Sequence, residues 1–196
     1  PTISVGGILK AIGGNIRVGN SGTFITEACE YTNSFLHFFP KISVILNIEE
    51  DHLDFFKDLE DIRHSFRQFT ELLPEDGTLV INADITDYQE IYEGLPCRVV
   101  TYGTSADCDY SADNIAYDEN GHVSFDLMKK GQFADHIVLS VTGDHNVSNA
   151  LSSIAVAELL SIPMDVIRKG LLSFTGTDRR FEYKGEFNGV TVVDDY

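Results

Sequence analysis

Strand-like and helical patterns alternate along the first half of the chain, and few folds accommodate this order. Residues 42–48 are apolar at nearly every position, as expected of a strand covered on both faces. From Leu59 to Leu73 the apolar residues are spaced by three and four, which marks one buried face of a helix. Strand patterns return at residues 77–83 and 97–103. The order predicts an α/β fold with a mostly parallel central sheet flanked by helices.

The second half of the chain follows a different pattern. Asn120 and Gly121 separate two alternating apolar runs, which is the strongest short-range signal for a β-hairpin, and a third alternating run follows. We therefore predict an antiparallel β-meander over residues 105–142, adjoining the parallel sheet. Helical spacing returns at residues 147–159, and a shorter helix follows. A second Asn-Gly pair at residues 188–189 predicts another hairpin.

Weaker patterns cover the remaining segments. The glycine-rich N-terminal segment predicts loops with one marginal helix at residues 8–12. Residues 23–28 predict a strand, which we expect to neighbour the strand at residues 42–48. Short helices are expected at residues 34–39 and 88–93.

The charge balance excludes one class of partner. The chain has 196 residues, with 14 Lys and Arg against 31 Asp and Glu and a formal net charge of -17. Such a surface repels a phosphate backbone, so we predict no nucleic-acid partner. Hydrophobic residues make up 43%, enough for a globular core, but no apolar run reaches the roughly 18 residues of a membrane span. Three cysteines without a CxxC pair and the lack of a signal peptide predict a soluble, cytoplasmic protein with reduced thiols.

Acidic clusters follow the first two strand patterns, at the sheet edge where ligands of open α/β folds bind. Glu27 and Glu30 end the first strand, and residues 47–54 contain four carboxylates and His52. Carboxylates at such an edge are typical Mg²⁺ ligands. If the two strands are neighbours, Glu27 and His52 face one crevice. The alternatives are a solvated loop for the first cluster and an acidic helix cap for the second.

Two further polar clusters lie in the second half of the chain. Asn146 and Asn149 are three residues apart beside His145, so they share one helix face, and carboxamides can hydrogen-bond an adenine edge. The alternative is that Asn146 caps the helix. Arg180 follows another arginine in a chain with few cations. Its guanidinium suits phosphate or ribose oxygens, and the alternative is a surface ion pair.

Taken in order, these clusters resemble the central ATP-binding domain of the Mur ligases. The segments that carry the resemblance span nearly the whole chain and read "ITEACEYTNSFLHFFP", "VILNIEEDHLDFF", "GDHNVSNALSSIAVA", "FTGTDRRFEYKGEF" and "VVDDY". The first two motifs are most similar to the branch of the family that adds L-alanine. Other branches carry a carbamylated lysine on the helix after His52, whereas residues 59–73 contain no lysine and instead Arg63 and His64.

The resemblance implies a role for each matching position. Glu27 and His52 match the pair that binds Mg²⁺ near the reacting phosphate, and so count as the catalytic residues. The positions that match nucleotide contacts are His145, Asn146 and Asn149 around adenine, Arg180 at ribose and phosphate, and Asp195 at the ribose hydroxyls. The implied cofactors are therefore ATP and Mg²⁺.

The resemblance also implies a reaction. The family member would join L-alanine to UDP-N-acetylmuramate through an acyl phosphate, in the bacterial cytoplasm, without nucleic-acid or membrane partners and with an oligomeric state that the sequence does not give. One alternative is a ligase of the same family that recycles a muramyl tripeptide. A second is a non-catalytic nucleotide-binding or scaffold module.

One motif of nucleotide-binding proteins is missing from the chain. No G-x-x-x-x-G-K-[ST] phosphate loop occurs in it. The chain also begins at Pro1 without a methionine and ends shortly after an apolar run. Compared with the family, we expect residues 1–196 to be the central domain truncated at both ends, similar to P-loop NTPases in fold but without the P-loop, and inactive alone.

Overall fold

The computed structural model describes residues 1–177 and 182–194. In chain order the strands and helices are β1 (Thr2–Leu9), β2 (Gly14–Arg17), β3 (Phe24–Thr26), β4 (Ile42–Ile45), α1 (Leu59–Glu71), β5 (Thr78–Asn82), β6 (Arg98–Gly103), β7 (Tyr110–Tyr117), β8 (His122–Lys129), β9 (Gln132–Thr142), α2 (Asp144–Leu159), α3 (Met164–Ser173), β10 (Glu182–Phe187) and β11 (Val190–Asp194). The chain divides into a smaller unit, residues 1–28 and 174–196, and a larger unit, residues 29–173.

The smaller unit contains a three-stranded sheet and a hairpin. In the sheet, β1 lies between β2 and β3, antiparallel to β2 and parallel to β3. The predicted loops of the N-terminal segment are wrong, because β1 and β2 occupy most of it. The helix predicted at residues 8–12 is present only as the short 3₁₀ helix Lys10–Ile12, which connects β1 to β2 and which Gly13 ends in a left-handed conformation (φ 66°). β10 and β11 form the predicted antiparallel hairpin. Asn188 and Gly189 both have positive φ there, as a tight hairpin turn requires.

A six-stranded sheet forms the centre of the larger unit, in the order β4-β5-β6-β7-β8-β9. The pairs from β4 to β7 are parallel, and the pairs from β7 to β9 are antiparallel. The predicted α/β fold class is therefore confirmed, and so is the antiparallel meander. The meander continues the parallel sheet, since β7 is hydrogen-bonded to both β6 and β8.

The expected pairing of the strands at residues 23–28 and 42–48 is wrong for the described strands. β3 pairs with β1, whereas β4 is the edge strand of the larger sheet and pairs with β5. The prediction rested on the order of the two strands along the chain. Hydrogen bonding instead places each strand beside a partner within its own unit.

Apolar clusters cover both faces of the larger sheet. Val80 of β5 belongs to the cluster formed with α2 and α3, and its neighbours Leu79 and Ile81 belong to the cluster formed with α1. All three side chains are fully buried, so β5 is a strand covered on both faces. β4 was expected to be such a strand, but it exposes 38% of Val44.

The starts of two helices position residues near the sheet edge. α1 begins where an Asp58 carboxylate oxygen, Oδ1, accepts a hydrogen bond from Asp61 N at 3.0 Å. α2 begins at Asp144, earlier than the predicted residue 147, directly after Gly143 at φ 90°. Within residues 1–177 and 182–194, no helix combines the length and the apolar character needed to cross a bilayer.

Candidate functional site

Glu30, Asp51 and His52 form a close group in the larger unit. Glu30 directly precedes the 3₁₀ helix Tyr31–His37, and the other two residues lie in the loop that follows β4. One potential ligand atom from each lies within 4.8 Å of the others. Glu30 Oε1 is 3.6 Å from His52 Nε2, and Asp51 Oδ1 is 3.8 Å from His52 Nδ1. The two acidic motifs of the sequence therefore meet at His52.

The backbone around His52 is held in a tight turn. His52 has a left-handed conformation (φ 52°), which is uncommon for a residue other than glycine. Its N–H donates to Asp51 Oδ1 at 2.7 Å, and its carbonyl accepts from the N–H groups of Phe55 and Phe56 at 2.8 and 2.9 Å. Phe56 is 2% exposed and anchors the turn in the core. These local contacts fix the backbone position from which the His52 side chain extends.

The Tyr31 ring lies against the His52 imidazole. The ring centroids are 4.5 Å apart and the planes are tilted by 33°. The Tyr31 hydroxyl donates to Asp54 Oδ2 at 2.8 Å, and this hydrogen bond and the negative charge of Asp54 raise the pKa of Tyr31. Phe55 meets the Tyr31 ring edge-on at 6.0 Å. No role for Tyr31 was predicted from the sequence; the available signal was an aromatic residue directly after an acidic motif.

The spacing of the donor atoms at His52 fits a divalent cation. With ligands at about 2.1 Å from Mg²⁺, neighbouring ligands of one octahedral ion lie about 3 Å apart and opposite ligands about 4 Å apart. The 3.6 Å between Glu30 Oε1 and His52 Nε2 lies between these values. Asp51 Oδ1 lies 3.8 Å from the other ring nitrogen, Nδ1, and adds negative charge beside this pair. Among the residues that the structure describes, Glu30 and His52 are therefore a pair that can hold a cation.

Glu27 lies in the smaller unit, where β1 positions its carboxylate. Glu27 Oε2 accepts a hydrogen bond from Gly6 N at 2.6 Å, and Glu27 N donates to Ser4 O at 2.9 Å. A Cβ at Gly6 would lie 3.0 Å from Glu27 Oε2, so glycine permits this close approach. His52 belongs to the larger unit. The predicted meeting of Glu27 with His52 stays a prediction.

The first turns of α2 bring together the three predicted adenine contacts. Asn146 Nδ2 donates to Thr142 O at 2.8 Å and lies 3.1 Å from His145 Nε2. Asn149 Nδ2 lies 3.4 Å from Asn146 Oδ1. The capping alternative for Asn146 is wrong, because Gly143 occupies the N-cap position. A Cβ at Gly143 would lie 2.8 Å from His145 Cε1, so glycine leaves room for the His145 ring.

Other predicted positions have different outcomes. Arg180 and Asp195 lie outside the described residues 1–177 and 182–194. On α1, Arg63 donates to the carbonyls of Thr86 and Asp87 and pairs with Glu90 at 3.0 Å. Arg63 therefore connects α1 to the segment that follows β5.

Comparisons with known proteins identify similar sequences. The Mur ligase middle domain family matches residues 15–157. The UDP-N-acetylmuramate–L-alanine ligases of Lachnospira eligens and Caldanaerobacter subterraneus subsp. tengcongensis are 58% and 50% identical over 197 and 196 residues, which covers 100% of this chain. The chain spans 43% of the length of each of these relatives.

Solved structures with similar folds carry related names. UDP-N-acetylmuramate-alanine ligase from Thermotoga maritima is 27% identical with a TM-score of 0.83, over 100% of this chain and 44% of that one. UDP-N-acetylmuramate:L-alanyl-gamma-D-glutamyl-meso-diaminopimelate ligase from Neisseria meningitides is 26% identical with a TM-score of 0.78, over 90% of this chain and 58% of that one.

Proposed function

Because this chain belongs to the Mur ligase family, we propose that it is the nucleotide-binding part of an ATP-dependent ligase that joins L-alanine to UDP-N-acetylmuramate. The observation that carries the proposal is the meeting of the two acidic motifs at His52. This group occurs in a chain that, over all of its 196 residues, is 58% identical to part of a relative named for that reaction.

The cation would be held by His52 and by carboxylates of the acidic motif. Glu30 is the described partner of His52, at 3.6 Å, and Glu27 is a further ligand by resemblance to the family. When bound, Mg²⁺ neutralises phosphate oxygens that gain charge during phosphoryl transfer. The chain itself has a net charge of -17, which repels ATP, so binding requires this compensation.

The adenine would lie against the first turns of α2. The side chains of His145, Asn146 and Asn149 are close together there, and both Asn149 and His145 are exposed. A carboxamide offers a donor and an acceptor side by side, as an adenine edge requires. By resemblance, Arg180 and Asp195 would contact phosphate and ribose.

The proposed reaction has two steps. The lactyl carboxylate of UDP-N-acetylmuramate attacks the γ-phosphorus of ATP, which forms an acyl phosphate and releases ADP. The alanine amine then attacks the acyl carbon, a C–N bond forms, and phosphate leaves with the electron pair of the broken C–O bond while the amine loses a proton. The nucleotide substrates of this reaction imply a cytoplasmic protein.

A second candidate function is ligation of a muramyl peptide. It is supported by the similarity to the Neisseria meningitides ligase, whose name specifies a tripeptide substrate, at a TM-score of 0.78. Its identity to this chain, 26%, is close to the 27% of the Thermotoga maritima alanine ligase and lower than the 58% and 50% of the Lachnospira eligens and Caldanaerobacter subterraneus alanine ligases. We therefore favour L-alanine.

Replacement of His52 tests the cation site. In the full-length protein, His52→Ala should lower kcat/KM by at least about 100-fold, because neutralisation of transition-state charge by a metal ion is worth several kcal/mol. Phosphate release with UDP-N-acetylmuramate, L-alanine, ATP and Mg²⁺ provides the measurement. His136→Ala is the matched control, since His136 is an exposed histidine on β9 that pairs with Asp126. Near-normal activity of His52→Ala would remove His52 from the proposed mechanism.

A further inference from the structure

We propose that Tyr31 is a positioning residue for His52, whose ring holds the imidazole so that Nε2 faces Glu30 and a divalent cation. The proposal rests on the proposed function, in which His52 binds the cation. Tyr31 itself does not bind the ion, because its hydroxyl is directed to Asp54.

No hydrogen bond in the described part of the chain sets the orientation of the His52 ring. The nearest carboxylate oxygens are 3.6 Å from Nε2 and 3.8 Å from Nδ1, beyond hydrogen-bond distance. Metal-binding histidines commonly donate the second ring N–H to a neighbouring acceptor, which fixes the ring. Here the aromatic contact of the ring is with Tyr31, whose ring centroid lies 4.5 Å from that of the imidazole. The side chain of His52 is 35% exposed, so it has space to rotate without that contact.

Tyr31 is itself held by the loop that carries His52. Its hydroxyl bonds Asp54 at 2.8 Å and its ring meets the edge of Phe55, both within four residues of His52. The tyrosine therefore connects the acidic motif to the histidine motif. A ring held by its hydroxyl and by a nearly perpendicular neighbouring ring is a stable surface for a second ring.

Unusual backbone conformations occur on both sides of this contact. Thr32 and Asn33, directly after Tyr31, have φ values of 54° and 58°, and His52 has 52°. A β-branched residue such as Thr32 is a clear outlier in this region. Strained residues are concentrated at functional sites, where the surrounding structure holds them. This strain supports a functional reason for the Tyr31–His52 contact.

The test uses Mn²⁺ as a probe with the full 196-residue chain. Mn²⁺ broadens the NMR signals of nearby protons, so a titration that follows the His52 ring signals, assigned with His52→Ala, reports cation binding at that residue. Tyr31→Leu should raise the Mn²⁺ concentration for half-broadening by about threefold to tenfold, the range expected from loss of one aromatic pair. Tyr31→Phe keeps the ring and should change the Mn²⁺ concentration for half-broadening less than twofold. Tyr117→Leu removes another exposed tyrosine ring and serves as the control.

A second measurement does not depend on a folded variant. In the wild-type chain at saturating Mg²⁺, nuclear Overhauser effects between the Tyr31 and His52 ring protons should persist. Their loss would overturn the proposal, as would equal half-broadening in wild type and Tyr31→Leu. If His52 signals are not broadened by Mn²⁺ at all, the cation site of the proposed function fails and this proposal fails with it. Weaker Mn²⁺ binding at His52 in Tyr31→Leu, but not in Tyr117→Leu, supports both the cation site and the positioning role of Tyr31.

Discussion

The imidazole of His52 extends from a hydrogen-bonded backbone turn and lies against a tilted aromatic ring. The turn consists of hydrogen bonds from Phe55 and Phe56 to the His52 carbonyl, and the ring is that of Tyr31. Both contacts leave Nε2 directed toward Glu30. A cation ligand held in this way loses little conformational entropy on binding, which is how a preorganised site gains affinity.

Asn149 provides the residue-scale test of the adenine site. In the full-length protein, Asn149→Ala should raise the KM for ATP by about tenfold and leave the KM for L-alanine within about twofold, because a base contact contributes roughly 1 to 3 kcal/mol. Initial rates of phosphate release at varied ATP and varied alanine give both constants. Ser153→Ala, one turn further along α2, is the control, since its hydroxyl donates to the Asn149 backbone carbonyl at 2.9 Å. An unchanged KM for ATP in Asn149→Ala would contradict the adenine assignment.

Only part of this site could be predicted from the sequence. His52 and Asn149 stand out because motif spacing predicts which residue types follow a strand or begin a helix. The Tyr31–His52 contact joins residues 21 positions apart, and neither periodicity nor spacing encodes which ring faces which. The positive φ of His52 is likewise set by the turn and not by the preference of histidine.

Among the elements, the meander is connected to α2 by a small polar cluster. The Tyr110 hydroxyl donates to Glu158 Oε2 at 2.7 Å, and Lys129 pairs with the other oxygen of Glu158. Burial and this hydrogen bond to Glu158 raise the pKa of Tyr110, so its hydroxyl stays protonated across the working pH range. The cluster thereby joins β7 and β8 to the last turn of α2.

Removal of the Tyr110 hydroxyl tests this connection. Tyr110→Phe should lower the free energy of unfolding by about 1 to 2 kcal/mol, because a part-buried carboxylate loses a hydrogen bond. Urea unfolding followed by circular dichroism is the measurement. Tyr117→Phe makes the same chemical change at an exposed hydrogen bond, to Asp144, and should cost less. Equal losses in the two variants would show that the hydrogen bond to Glu158 adds no more stability than an exposed one.

The elements differ in how well the sequence predicts them. The three- and four-residue spacing of α1 and the alternation of β7 to β9 are strong signals, and the structure confirms these elements. Residues 8–12 carry no such periodicity, and there β1 ends at Leu9 and a short 3₁₀ helix, Lys10–Ile12, leads into β2. β4 and β5 are both apolar runs, so only the sheet order shows that β5 is central and β4 lies at the edge.

For the whole molecule, charge and length define what the chain needs for catalysis. A net charge of -17 opposes the binding of anionic substrates, so the proposed reaction depends on bound cations. The chain spans 43% of the length of its relative from Lachnospira eligens and contains no phosphate-loop motif. We therefore propose the complete reaction for the full-length protein and not for this chain alone. The 196-residue chain alone should bind ATP weakly, with a dissociation constant on the order of 1 mM or poorer.

The central claim is that the full-length protein adds L-alanine. The most direct measurement is ATP-dependent phosphate release with UDP-N-acetylmuramate and Mg²⁺, comparing L-alanine with the tripeptide L-alanyl-γ-D-glutamyl-meso-diaminopimelate. The control is the 196-residue chain alone, which should show no turnover. It contains no phosphate-loop motif, and we expect that it cannot position the acid and the amine for reaction. We expect alanine-dependent release with a kcat/KM at least about 100-fold above that for the tripeptide, a difference near 3 kcal/mol in transition-state stabilisation. A preference for the tripeptide, or no release with either amine, would contradict the account.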